Sequence, residues 1–154
     1  MLFHNRLSAL ALIITSVPLL PLTQAPRRDF RTSDFKQLRW IEGTWKGQAG
    51  KGDPFFERYR FVNDSTIEMN SFTDSTLRTV SEKTTYVLRN GRIVHESNKN
   101  RWEAARFNGG TAQFVPVKGA SNSFQFTRMS KDRWTATIIP SGGKKRTVYE
   151  MRRI

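Results

Sequence analysis

The sequence predicts an all-β protein: an antiparallel up-and-down β-barrel of about nine or ten strands with a short N-terminal helix, preceded by a signal peptide. Three observations carry this. Short runs with period-two alternation of apolar and polar residues follow one another from residue 44 to residue 153. The runs are joined by brief turn clusters rich in Gly, Asn, Asp and Ser, the pattern of sequential hairpins. No βαβ alternation, heptad or internal repeat interrupts them. A β-sandwich is the alternative, but its long crossover connections are not seen, so closing the hairpins on themselves best buries one apolar face per strand.

The N-terminus is set apart from the fold. Residues 1–25 have a basic start, an apolar run broken by Pro18 and Pro21, and the ending Thr23-Gln24-Ala25. This is the make-up of a cleavable secretory signal, with cleavage expected after Ala25 and a secreted or periplasmic product. The run is short of the ~20 residues that a spanning helix needs, so no transmembrane anchor is expected after signal removal. Residues 26–33 read as a basic linker, and residues 34–154 as the barrel domain. Thr32-Ser33-Asp34 offers a helix N-cap, with Phe35, Leu38 and Ile41 at helical spacing behind it. That helix should lie across the barrel mouth and stop at Gly43.

The first strand is expected over residues 44–49. The cluster Gly50-Lys51-Gly52-Asp53-Pro54 turns it into residues 55–62, where Phe55, Tyr59 and Phe61 share a face with Glu57. Residues 66–73 follow, with Ile67 and Met69 on one side, and then 79–89. Asn90-Gly91 before residues 92–97 is the clearest hairpin signal, because this pair tolerates the left-handed angles of a type I′ turn. Further strands are expected over 101–107, 111–117, 124–129, 133–139 and 145–153.

Composition narrows the function. Lys and Arg exceed Asp and Glu by 13 charges, yet they are scattered along the chain. A solvated basic surface is the reading, and no nucleic-acid tract is seen. There is no cysteine, hence no disulfide and no lipid anchor on Cys. Beyond the signal, His95 is the single histidine, so a zinc or copper site of His/Cys type cannot be assembled within one chain, and no cofactor is expected. No phosphate-cradling loop and no Gly-x-Ser-x-Gly elbow is present. Acidic pairs such as Asp53 with Glu57 can be drawn, without a spacing that marks hydrolysis. No residue is assigned as catalytic or metal-binding.

The candidate ligand-binding residues are Glu57, Tyr59, His95, Arg106, Phe124, Phe126 and Arg128. Arg106 follows Trp102 and Ala104 on their face, and Arg128 follows Phe124 and Phe126. A charge inside a barrel must be paired or solvated. Glu57 with Arg106 or Arg128 is therefore either an internal ion pair or part of a site that orients a ligand. His95 shares a face with Ile93 and Ser97, as a hydrogen-bonded strand residue or a ligand contact. With arginine inside, small amphipathic anions are the expected ligands.

Leu38-Arg39-Trp40-Ile41-Glu42-Gly43-Thr44-Trp45-Lys46-Gly47 resembles the opening of nitrobindin-type and other lipocalin-like (calycin) barrels. The chain from Phe35 to Arg153 is also similar to an uncharacterised family of secreted bacterial lipocalin-like domains, which end in a basic pair, here Arg152-Arg153. The resemblance implies structural roles for Gly43, Trp45 and one of Arg152 or Arg153, with Trp45 packed in the barrel floor under a guanidinium. It implies a barrel that binds a small, partly apolar molecule. The alternatives are a protein-interaction or inhibitor module working through loops and outer surface, and a calycin-type isomerase or cyclase. Two departures stand out. Haem-binding nitrobindins hold iron through a late histidine, and this chain has none after His95. The secreted family's Asn-Pro…His-Asp-Phe-Pro segment corresponds to Phe114-Val115-Pro116-Val117-Lys118, which lacks the His and Asp.

Overall fold

The computed structural model describes residues 29–142 and 145–154. The expected signal peptide and the first three residues of the expected linker lie outside them. The chain enters through α1, Thr32–Lys36, which runs directly into a 3-10 turn, Gln37–Ile41. Ten strands follow: β1 Gly43–Gln48, β2 Phe55–Asn63, β3 Thr66–Phe72, β4 Val80–Arg89, β5 Arg92–Ser97, β6 Asn100–Asn108, β7 Thr111–Lys118, β8 Asn122–Arg128, β9 Arg133–Pro140 and β10 Thr147–Arg153. Each pairs with the next, and β1 pairs antiparallel with β10, which closes the barrel. Closure leaves no unpaired edge. Among the described residues no helix is long and apolar enough to cross a membrane.

The period-two pattern points Tyr59, Ile67, Met69, Tyr86, Ile93, Trp102, Phe114, Phe124, Phe126, Trp134 and Met151 into one continuous core. Asn90-Gly91 makes the β4–β5 turn with φ of 49° and 70°, both in the left-handed region that a type I′ turn demands. That turn pairs Arg89 with Arg92 and, three residues further in, Tyr86 with His95.

Two expectations about the entry segment are corrected. The helix N-cap is Arg31 and not a residue of Thr32-Ser33-Asp34, because Asp34 is the third helical residue and its Oδ2 accepts from the Arg31 N–H at 2.8 Å. The last residues of the expected linker belong to the packed unit. Phe30 is buried, its N–H donates to the Gly91 carbonyl at 2.9 Å, and its ring meets Phe107 edge-on at 5.4 Å. With Phe35, Leu38 and Ile41 it makes an apolar plug across one end of the barrel. At the other end, where the turns after β1, β3, β5 and β7 lie, the described residues form no such cover.

Candidate functional site

The plugged end is built around Trp45. Its ring is fully buried, its Nε1–H donates to the Ile41 carbonyl at 2.6 Å, and Trp134 packs against it edge-on at 5.8 Å. Across the ladder Trp45 faces Arg153, whose guanidinium lies 4.2 Å from the indole ring centre. The same guanidinium donates to the carbonyls of Glu42 at 3.1 Å and Lys131 at 3.2 Å, and meets Asp132 at 3.2 Å. This one side chain therefore ties two chain segments together while stacking on an aromatic face. Gly43 leaves room for it: a Cβ there would stand 2.1 Å from an Arg153 nitrogen, and φ is +134°. Arg152, one residue earlier, points outward to Glu150 at 3.0 Å.

The open end holds a cavity of about 300 Å³. Its walls are largely aromatic: Phe55, Tyr86, Trp102, Phe124, Phe126 and Tyr149, with Met69 and Ile138. Gly47 on β1 has no side chain to oppose Phe55, whose ring lies where a Cβ would be, and Phe55 in turn meets Tyr149 edge-on at the rim, 5.3 Å apart. His95 stacks between Tyr86, 4.3 Å away, and Trp102, 5.4 Å away. Its Nδ1–H donates to the Thr85 carbonyl at 3.2 Å, which leaves Nε2 as an acceptor. Burial pulls the His95 titration below its ordinary value, so the ring is neutral at pH 7.

Glu57 is the acidic group of the cavity wall. It accepts from the Tyr59 hydroxyl at 2.8 Å, and the Tyr59 ring lies against that of Tyr86, 6.3 Å between centres. Burial pushes the Glu57 carboxyl up to about 7, against the lowering bond from Tyr59 and with a smaller upward push from the Glu82 charge. Burial and the neighbouring Glu57 charge also raise both phenols well above the usual tyrosine range. Glu82 stands behind Ser97, whose hydroxyl donates to it. Glu57, Ser71 and Glu82 occupy one transverse row across β2, β3 and β4.

Of the residues singled out from sequence, the structure brings Glu57, Tyr59, His95, Phe124 and Phe126 to this cavity. Arg106 and Arg128 are not there. Both are exposed at the plugged end. A bulge on β6 pairs Ala104 with Phe114 but Arg106 with Gln113, so the alternation slips by one residue and Phe107 turns inward in place of Arg106. Arg128 keeps the inward phase of Phe124 and Phe126 but has run out of barrel; its Nε donates to the Ser130 carbonyl at 3.5 Å. The expected ion pair with Glu57 therefore does not form, and among the described residues no Lys or Arg lines the cavity. Phe61 has likewise left it, packing on Phe35 at 5.6 Å beneath Arg39.

Tyr86, Trp102 and Asn122 escaped the sequence reading. The signal for Tyr86 was present, since a two-residue Asn-Gly turn fixes it directly opposite His95. Trp102 and Asn122 depend on long-range register: the Trp102 Nε1–H donates to the Asn122 carbonyl at 2.9 Å.

No family model and no curated protein sequence matches this chain. Among solved structures it is similar to a redesigned beta barrel, at 11% identity and a TM-score of 0.39 over 75% of this chain and 92% of that one. It is also similar to EF1p2_mFAP2b bound to DFHBI, at 12% identity and a TM-score of 0.33 over 80% of this chain and the whole of the other.

Proposed function

We propose that this chain is an exported, lipocalin-like barrel that binds a small, partly apolar molecule in its open-end cavity without transforming it. The observation that carries the reading is the cavity itself: about 300 Å³, walled by aromatic rings and furnished with a few convergent polar groups. The apolar run ending at Ala25 supports export to a secreted or periplasmic location. The Trp45–Arg153 stack and Gly43 at the start of β1 support kinship with the lipocalin-like barrels, in which the same elements close the floor. Native mass spectrometry of protein purified from its own host tests the binding reading. A co-purifying small molecule, lost on denaturation, is the expected result. A stoichiometric protein partner with an empty cavity would overturn it in favour of an interaction module.

One observation favours a second reading, an isomerase-like proton transfer. A carboxyl that titrates at about 7 in an apolar cavity, with Tyr59 bonded to it, has the make-up of a general base. Incubating the co-purified molecule in heavy water with parent and Glu57→Gln protein decides. Glu57-dependent uptake of deuterium into carbon positions establishes turnover; none leaves binding alone.

A further inference from the structure

We infer that the ligand is a protonated amine carried on a flat apolar body, its ammonium directed to the Glu57 carboxylate and its body laid against the aromatic walls. The inference rests on the binding reading above and names the chemical class that fits.

Two polar groups of the cavity, Glu57 and His95, ask for a donor. Glu57 has one oxygen taken by Tyr59 and a second, Oε1, with no hydrogen bond among the described residues. His95 spends its N–H on Thr85 and presents a bare acceptor nitrogen. Ser97 gives its hydroxyl proton to Glu82, and Tyr59 gives its own to Glu57. These two donors are thus committed inside the protein; the Tyr86 and Tyr149 hydroxyls and the Asn122 amide also line the cavity, and beside them the free Glu57 oxygen and the His95 Nε2 stand as acceptors.

Charge points the same way. Glu57 and Glu82 lie in one row with Ser71 between them, and among the described residues no Lys or Arg lines the cavity to neutralise the Glu57 charge. The upward displacement of the Glu57 titration shows how poorly its anion is compensated in the empty barrel. A cation entering beside it supplies the missing countercharge, whereas a carboxylate would add a third negative group. Tyr86 and Trp102 offer ring faces that attract an ammonium. Lys51, Arg78, Lys99, Lys118 and Arg146 near the mouth are exposed to solvent, where salt screens them within about 10 Å.

Calorimetric titration with three molecules that share one ring tests this: 2-naphthylethylamine, 2-naphthylethanol and 2-naphthylacetic acid, at neutral pH. The amine is expected to bind roughly tenfold or more tightly than the alcohol, the difference a charge-assisted hydrogen bond supplies, and the acid most weakly. In Glu57→Gln amine and alcohol should bind alike, while Arg128→Ala, altered at the opposite end, should match the parent for all three. If Glu57→Gln does not fold, judged by near-ultraviolet circular dichroism, Glu57→Asp replaces it and should selectively weaken the amine. Amine and alcohol binding equally well to the parent overturns the inference and leaves the binding reading standing. So does tightest binding of the acid, or an amine advantage that survives in Glu57→Gln. Absence of binding by all three overturns both.

Discussion

Glu57 is the residue whose surroundings are most at odds with its chemistry, and that leaves a mark on stability. Its carboxyl titrates at about 7 in the folded barrel against 4.5 ordinarily. Between those values the native state holds a proton that the unfolded chain has released, so this group's contribution to stability falls as pH rises from about 4.5 to 7 and is gone above. Glu57→Gln removes the titration. Relative to the parent, the variant should gain on the order of 1–3 kcal/mol on going from pH 4.5 to 8. His95, displaced downward, acts in the opposite sense by losing stability as pH falls below its ordinary value, which is why the comparison is made between variant and parent at each pH. Chemical denaturation at the two pH values checks it; a parent-to-variant difference independent of pH would contradict the placement of Glu57. At the plugged end the two arginines separate cleanly. Arg153→Ala loses the indole stack and leaves the carbonyls of Glu42 and Lys131 without their donor, so about 1–2 kcal/mol of destabilisation is expected. Arg152→Ala removes a surface pair with Glu150 and should cost no more than about 0.5 kcal/mol. Equal losses would mean that the guanidinium over Trp45 is wrongly assigned.

The elements of this barrel are regular except where a bulge shifts their phase, and the shift on β6 decides which side chains reach the interior. Past Ala104, Phe107 packs on Phe30 and Phe114 while Arg106 faces water. Phe107→Ala should therefore destabilise by about 2–4 kcal/mol, somewhat below the figure for a fully buried phenylalanine. Arg106→Ala should stay within about 0.5 kcal/mol of the parent. Thermal melts of the two variants separate the phases, and a large loss for Arg106→Ala with none for Phe107→Ala would place the strand in the unbulged register. This explains what could be read from the chain. Alternation plus short turns is a local signal, and it located ten strands because hairpins are local; Asn90-Gly91 even sets which residue faces His95. A bulge is a mismatch between two strands, visible only when both are laid side by side, and alternation counted along β6 alone puts Arg106 inside. Arg128 was misread for a different reason. Its phase is inward, but phase says nothing of how far along the barrel a residue sits. Glu57 and Tyr59 were legible because they are two residues apart on one strand, so their contact needs no knowledge of the partner strands.

At the scale of the whole molecule the barrel divides into a solid half and a hollow half. Phe30, Phe35, Leu38 and Ile41 seal one end against Trp45 and Trp134, and the aromatic packing continues upward until Phe126. Beyond it the walls hold rings at the perimeter and enclose space rather than filling it. A chain carrying a net charge of +13 thus surrounds a cavity whose ionisable groups, among the described residues, are one acid, phenols and one neutral imidazole. The surface charge bears on solubility and encounter, while the interior decides what stays bound. On the binding reading, this hollow half accepts a small apolar molecule. Titration with a neutral, polarity-sensitive naphthyl ketone dye, in the parent and in Ala136→Phe, tests it most directly, since Ala136 lines the cavity and a phenyl ring there occupies the space the dye needs. Saturable binding at one site with a blue-shifted emission is expected in the parent, and loss of both in a folded Ala136→Phe protein; no saturable binding by the parent, or equal binding by the two, would rule out a ligand in this cavity.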